Sequence, residues 1–337
     1  MSVNTAAPIA VLGAGSWGTA LAIQLARSGR ATRLWGRDPA HMRTLARERV
    51  NTRYLPGAAF PESLAVSDDL AGALHGALDV LVSVPSSAFR SVLEEIAPRL
   101  DGAARVAWAT KGFELATGKL PHQVAREVLG SQRPVAVLSG PTFAREVGRG
   151  LPTAMTIASP DQHFATALAQ GLSSSNFRAY TSNDIMGVEV GGAVKNVLAV
   201  GAGLSDGIGF GANTRIALIT RGLVEMTRLG VTLGAQRETF MGLAGLGDLV
   251  LTCTDDQSRN RRFGLLLASG KTPEQALAEI GQAVEGYPAA RAVRAVAQGA
   301  HVEMPICNSV YQVLYEQRPA RELVRDLMSR PIKAEIQ

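Results

Sequence analysis

Apolar residues fall along this chain in two regimes. In the first half they come as short unbroken runs: Ile9–Leu12, 31–35, 79–84, 105–109, 135–139, 153–158 and 177–181. Glycine, proline, serine or threonine ends most of these runs, as at the ends of buried strands. Helix-period stretches lie between several of them, at 19–29, 41–50, 88–96 and 161–171. Strand alternating with helix predicts a doubly wound parallel sheet of roughly eight strands. After about residue 184 the strand signals stop. Helical patterns follow at 185–202, 213–229, 259–268, 273–280, 287–297 and 305–316. The prediction is an α/β protein with residues 1–186 as a sheet domain and 187–337 as an all-helical domain.

The first helix of the second half carries an anomaly. Val190, Val194, Val197 and Leu198 form the stripe of a core-facing helix. Lys195 sits about 100° round from Val194, with Gly191, Gly192, Leu198 and Ala199 one turn away. An ammonium among small residues either snorkels to water or meets something that is not protein. The glycines of 201–211 predict a long helix–helix loop. Asn213 then reads as an N-cap and Gly230 as a C-terminal stop. Ile216, Ile219, Leu223 and Met226 form one apolar face.

Candidate chemistry collects at the ends of the predicted strands. Gly13-Ala14-Gly15-Ser16-Trp17-Gly18 follows the first strand and opens a helix. In that context GxGxxG is a dinucleotide turn: Gly13 bends the chain, Gly15 admits a pyrophosphate, and Gly18 lets helix pack on strand. The sheet is therefore of Rossmann type. At the second strand's end Arg37 suits the 2′-phosphate of NADP, while adjacent Asp38 leaves the ribose hydroxyl of NAD open. Lys111 and the turn from Gly140 to Glu146 also lie beyond strand ends, where ligands bind in such sheets. Further on, Asp248 sits in an apolar run, and Ser258-Arg259-Asn260 starts a helix. Free N–H groups, a helix dipole and an arginine make a phosphate site.

Composition narrows the classes. The chain has 337 residues, is 46% hydrophobic and 19% charged, and has a net charge of +5. That is a globular protein. Its 34 basic residues are scattered, 29 arginines against 5 lysines, unlike a nucleic-acid tail. Two cysteines and five dispersed histidines have no metal spacing. The beginning of the chain has no secretory pattern, and no apolar run is read as spanning a membrane. A cytoplasmic protein without metal is expected.

These residues together resemble the bacterial NAD(P)-dependent sn-glycerol-3-phosphate dehydrogenases. The matching stretches are GAGSWGTALA (13–22), VPS (84–86), TKG (110–112), SGPTFARE (139–146), AVKNVLAVGAGLSDGIGFGANTRIALITRG (193–222), GLAGLGDLVLTCTDDQSRN (242–260) and VEG (284–286). The resemblance implies Lys195 as proton acceptor. It implies glycerol 3-phosphate contacts from Lys111, Gly140, Thr142, Asp248, Ser258, Arg259 and Asn260. It implies NADP(H) or NAD(H) contacts from Ser16, Trp17, Arg37, Lys111, Ala144, Arg259 and Glu285, with Ala283 alongside. It also implies a homodimer that supplies glycerol 3-phosphate for phospholipid synthesis. Two rival readings are another two-domain hydroxy-acid or sugar-phosphate dehydrogenase and a non-catalytic NAD(P)H sensor. The SRN phosphate segment opposes the first, and the retained Lys195, Lys111 and Asp248 oppose the second.

Overall fold

The computed structural model describes residues 7–329 and residue 331. The first six residues of the secretory reading and the outermost ends of both domain ranges lie outside the described residues. Among the described residues ten strands are formed: β1 Ile9–Leu12, β2 Thr32–Trp35, β3 Val50–Asn51, β4 Leu55–Ala59, β5 Leu64–Ser67, β6 Asp79–Val82, β7 Arg105–Trp108, β8 Val135–Ser139, β9 Thr153–Ala158 and β10 Phe177–Ser182. Eight of them make one sheet in the order β10-β9-β8-β7-β6-β1-β2-β5. Every pairing in it is parallel except β8–β9, which is antiparallel. The departure from an all-parallel sheet has a local cause. The connection at 140–152 holds only a six-residue helix, Ala144–Arg149, where a parallel crossover usually carries a longer one. β3 and β4 form a separate small hairpin.

The order reverses direction at β1, between β2 and β6. That is the switch point where open α/β sheets bind ligands. Helices cover both faces. Ser16–Arg27 packs with Ile9, Val11 and Leu34 on one side. Ser86–Ile96 and Pro121–Leu129 contribute Phe89, Leu93 and Val124 to the other.

From Ile185 onward the chain is helical. The helix Ile185–Gly207 is the axis of that half, with 20 of its 23 residues buried. It runs straight through the stretch predicted as a loop, and only 208–211 connects it to the next helix, Ala212–Leu233. Glycine costs about 1 kcal/mol in a helix interior, so local propensity argued against this. Packing overrides it. A Cβ on Gly203 would lie 2.0 Å from the Arg261 carbonyl oxygen, and one on Gly264 2.2 Å from that of Val200. The glycines let the helix Arg259–Ala268 cross at backbone contact. Asn213 is consequently inside its helix, whose N-cap is Gly211, and Gly230 is passed before the helix ends at Gly234. Ile216 points outward at 56% exposure, while Ile219 and Met226 are buried.

The sequence reading found no apolar run of membrane-spanning length. The helix Ile185–Gly207 does have that length and a mean hydropathy of 1.3, but 89% of the apolar window is buried inside the protein. It is a core helix. A final helix, Ala320–Met328, was not foreseen.

The close crossing predicts a steep local sensitivity. Gly203→Ala should cost ~2 kcal/mol or more, because the added methyl has only backbone to displace. Gly102→Ala, where nothing lies within 4 Å, should change stability by less than ~0.5 kcal/mol. Urea midpoints measure both; equal shifts would remove the packing explanation.

Candidate active site

A cleft of about 1090 Å³ lies between the strand ends and the helical half. The glycine turn forms its floor. Gly13 takes φ +117°, and a Cβ there would strike the Ser83 carbonyl oxygen at 2.2 Å; one on Gly18 would strike that of Gly13 at 1.9 Å. Around Gly15 nothing lies within 4 Å. Gly15 also caps the helix Ser16–Arg27 without any side-chain hydrogen bond. The first-turn N–H groups are thus left for an anion. This bare, backbone-lined cradle fits a dinucleotide pyrophosphate. Asn51 fixes it from below: its buried amide donates to the Ala14 carbonyl at 3.0 Å and to Thr19 Oγ1 at 2.9 Å. Its own oxygen accepts from Tyr54 N, which ties the β3–β4 hairpin to the turn.

The opposite wall holds the charge. Lys195 Nζ donates to Asp248 Oδ1 at 2.5 Å and to Thr252 Oγ1 at 2.9 Å. Lys111 Nζ donates to the other carboxylate oxygen at 2.6 Å. Lys195 is 7% exposed and Asp248 2%, so the snorkelling alternative is excluded. Burial lowers Lys195 to about 8, with the Lys111 charge adding to the fall and Asp248 opposing it. Burial alone would raise the Asp248 carboxyl, but the two ammonium groups outweigh it and hold it below its ordinary value. Asp248 begins the helix Asp248–Thr254, directly after a single π-helical turn, Leu243–Gly247. Such turns re-aim the residues that follow them. Gly191 and Gly192 make the approach feasible. A Cβ on Gly191 would meet the Ala244 carbonyl oxygen at 2.6 Å, and one on Gly192 the Lys111 stem at 3.3 Å.

A third group lies where the helix Arg259–Ala268 begins. Ser258 caps it, its hydroxyl accepting from Arg261 N at 3.2 Å. Asn260 is locked on both sides: its nitrogen donates to Asn196 Oδ1 and its oxygen accepts from Gly286 N, each at 2.8 Å. Arg259 is lowered by burial, with the Glu285 carboxylate opposing. Glu285 is raised by burial, against the pull of Arg259, and accepts from Ser86 Oγ across the cleft at 3.3 Å.

Most of the predicted residues therefore line one space: Gly15, Ser16, Trp17, Gly18, Lys111, Thr142, Ala144, Lys195, Asp248, Ser258, Arg259, Asn260, Ala283 and Glu285. Gly13, Gly140 and Arg37 are outside its lining. Gly13 and Gly140 are turn residues; Gly140 has φ +148° with the Met155 backbone against it. Arg37 is exposed beyond β2. Asp38 is engaged elsewhere, capping the helix Pro39–Glu48 through bonds from Ala40 N and His41 N. Sequence reasoning missed Arg53, Tyr54, Arg145, Asn196 and Thr252, all of which line the cleft. Thr252 follows Asp248 by one helical turn, a spacing that could have flagged it.

A Rossmann cradle facing a buried Lys195–Asp248 pair joined by a half-buried Lys111 defines a two-domain NAD(P)-dependent dehydrogenase. Comparison with known proteins narrows the class. The family model for the NAD-dependent glycerol-3-phosphate dehydrogenase N-terminus matches residues 8–165, and that for the C-terminus residues 184–325. A Shewanella protein (strain MR-4) named glycerol-3-phosphate dehydrogenase (NAD(P)+) is 57% identical over 334 residues, covering 99% of each chain. One of the same name from Actinobacillus pleuropneumoniae serotype 5b is 54% identical over 336 residues, covering 99% of this chain and all of the other. The crystal structure of glycerol-3-phosphate dehydrogenase from Coxiella burnetii superimposes with a TM-score of 0.93 at 48% identity, covering 96% of this chain and 99% of that one. This chain belongs to the NAD-dependent glycerol-3-phosphate dehydrogenase family.

Asp248 is the sole carboxylate bonded to both Lys111 and Lys195 among the described residues. Asp248→Asn should cost about 3 kcal/mol at pH 7, as when one partner of a buried pair is removed. The sign of its pH dependence follows from linkage. Folded Lys195 already lies below its usual 10.5, and loss of Asp248 depresses it further. The unfolded variant then binds more protons than the folded one, so stability climbs with pH more steeply than in the parent. Denaturant midpoints at pH 7 and pH 9 should show the deficit shrinking. A pH-independent deficit would mean that the carboxylate acts only as a hydrogen-bond acceptor.

Proposed function

We propose that the cleft interconverts sn-glycerol 3-phosphate and dihydroxyacetone phosphate, with NADP(H) or NAD(H) as hydride partner. The observation that carries this reading is the Lys195–Asp248–Lys111 cluster, with Lys195 and Asp248 buried and Lys111 half-buried, opposite an open phosphate cradle. Residues 1–186 serve the dinucleotide and 187–337 the substrate. Gly15, Ser16 and Trp17 offer N–H groups to the pyrophosphate, while Gly13 and Gly18 shape the turn. Ala144, Ala283 and Glu285 border the cofactor. Ser258, Arg259 and Asn260 hold the substrate phosphate at the N-terminus of their helix, where the dipole and a desolvated guanidinium both favour a dianion. Gly140 and Thr142 shape the wall beside it.

The nicotinamide ring, when bound, takes up or supplies the hydride. The chain's own part is the proton and the charge. In oxidation, neutral Lys195 removes the proton from the secondary hydroxyl as the carbonyl forms. In reduction, the Lys195 ammonium returns that proton to the oxygen, and Lys111 stabilises the charge developing there. Asp248 and Thr252 aim Lys195, and Asp248 spans the two lysines so that their repulsion does not separate them. The family resemblance further supports a cytoplasmic homodimer that supplies glycerol 3-phosphate for phospholipid synthesis.

The direct test mixes the protein with dihydroxyacetone phosphate and NADPH or NADH and follows the absorbance of the reduced cofactor. Lys195→Met should lower turnover at least ~10²-fold while NADPH still binds. In the parent, kcat/KM for glycerol 3-phosphate oxidation should rise with pH through about 8, the Lys195 value, because the base must be neutral. For reduction it should fall through the same region. A Lys195→Met protein with near-parental turnover would end this reading.

Cofactor choice should rest on Arg37, since Asp38 is occupied as a helix cap. Arg37→Ala should raise KM for NADPH on the order of tenfold, the loss of one charge-assisted hydrogen bond, and leave NADH nearly unchanged. Asp38→Ala should cost stability by about 1 kcal/mol without altering the ratio of the two cofactors. Equal effects of Arg37→Ala on both would make it an ordinary surface residue.

A further inference from the structure

One buried carboxylate has no place in the chemistry above. Glu189 lies on the helix Ile185–Gly207, six residues before Lys195, and is 3% exposed. Two N–H donors and a histidine ring nitrogen converge on it. Oε1 accepts from Trp108 Nε1 and from His122 N, each at 2.9 Å, and Oε2 meets His122 Nδ1. Trp108 ends β7 and His122 starts the helix Pro121–Leu129, so the carboxylate grips two elements of the sheet domain at once. Burial pushes its carboxyl up from the ordinary value, and the bonds from His122 and Trp108 oppose that rise. Such a site is expensive, and apolar residues of similar volume commonly serve stability as well or better. What a polar cluster adds is one fixed arrangement.

The arrangement it fixes leads to Lys111. From Trp108 the chain has no slack: Ala109 N donates to the Val82 carbonyl at 2.9 Å and Thr110 Oγ1 to that of Val84 at 2.7 Å. Lys111 is next. Its stem then lies across Gly192, where a Cβ would sit 3.3 Å from Lys111 Cγ. Glu189, Gly192 and Lys195 follow one another at three-residue steps, a rise of about 9 Å in all. The first holds the end of β7, the second lets the Lys111 stem pass, and the third meets the carboxylate that Lys111 also reaches.

We propose that Glu189 is a positioning residue: it pins the end of β7 to the Lys195 helix, so that Lys111 arrives on Asp248 beside Lys195. This rests on the reading that Lys111 and Lys195 act on the substrate. Misplacement of a catalytic group by about 1 Å costs on the order of 10²-fold in rate, so a modest loosening of the clasp is visible in turnover.

The test is a double-mutant cycle on reduction of dihydroxyacetone phosphate. Glu189→Ala should lower kcat about tenfold and leave the NADPH dissociation constant within about twofold. Glu189→Gln keeps an acceptor for Trp108 and His122 N and offers a donor to His122 Nδ1. It should recover kcat to within about threefold of the parent. In a Lys111→Ala background, Glu189→Ala should cost less than about twofold, since the residue it positions is gone. Trp108→Phe removes one donor and keeps the ring; it repeats the cycle if Glu189→Ala does not fold, and should lose its effect in the same background. Additive losses in a Lys111→Ala protein that is itself impaired would overturn the clasp alone. A loss confined to NADPH affinity would also overturn it. If Lys111→Ala is near-parental, the assignment of Lys111 fails and the clasp falls with it.

Discussion

Two ammonium groups share one buried carboxylate, and most of the structure follows from that. Lys195 and Lys111 would separate if Asp248 did not lie between them, since like charges a few ångströms apart repel and the repulsion grows as burial removes solvent screening. Asp248 in turn could not stay ionised at 2% exposure without both. With both lysines protonated and Asp248 ionised the cluster carries one surplus positive charge. In the proposed reaction a substrate oxygen that gains charge would neutralise that surplus, which is the complementarity catalysis needs. Asp248 also limits how far burial lowers Lys195. A value of about 8 leaves both protonation states accessible near neutral pH, as the proton transfer proposed for Lys195 requires.

Bringing these groups together depends on removing side chains. Lys195, Lys111 and Asp248 come from three separate elements, so three pieces of backbone must converge. Gly191 admits the turn before Asp248, Gly192 admits Lys111, and Gly203 with Gly264 admits the helix that bears Arg259. Each glycine weakens its helix locally. The core around Val190, Val194, Val197 and Phe263 recovers that loss, since full burial of a side chain of this size contributes ~1.5–3 kcal/mol.

This trade explains what was legible in the sequence. The parallel sheet and the glycine turn could be anticipated because strand runs, turn residues and helix period agreed at β1, β2, β6, β7 and β8, whereas β3, β4 and the edge strand β5 were not foreseen. Lys195, Asp248 and the Ser258 cap stood out as polar groups at the edges of apolar runs. The stretch 201–211 was misread because its local signal and its tertiary role conflict: seven helical residues there exist by virtue of the Arg259–Ala268 helix, which is distant in sequence. The antiparallel β9 was hidden for the opposite reason. Its own residues are ordinary, and the one distinguishing feature is that the connection at 140–152 holds only the six-residue helix Ala144–Arg149. Arg53 and Tyr54 escaped because β3 has two residues, too few to show any period. Asn196 and Thr252 look like routine polar positions in helices until their partners are known.

The two walls of the cleft make room in different ways, and the difference separates binding from stability. On the sheet side, Gly15 faces open space, with nothing within 4 Å. A side chain there would displace ligand and leave the protein's own packing untouched. On the helical side, Gly203 and Gly264 face backbone, and a side chain there would force the helices apart before any ligand arrived. Gly18 belongs with the second kind although it sits in the first motif, because the Gly13 carbonyl oxygen occupies its side-chain position. Within GAGSWG, then, only the middle glycine faces the open space proposed for the cofactor, while Gly13 and Gly18 hold the shape that keeps it bare. A glycine-rich motif read from sequence alone does not divide this way. The division comes from what each missing side chain would touch.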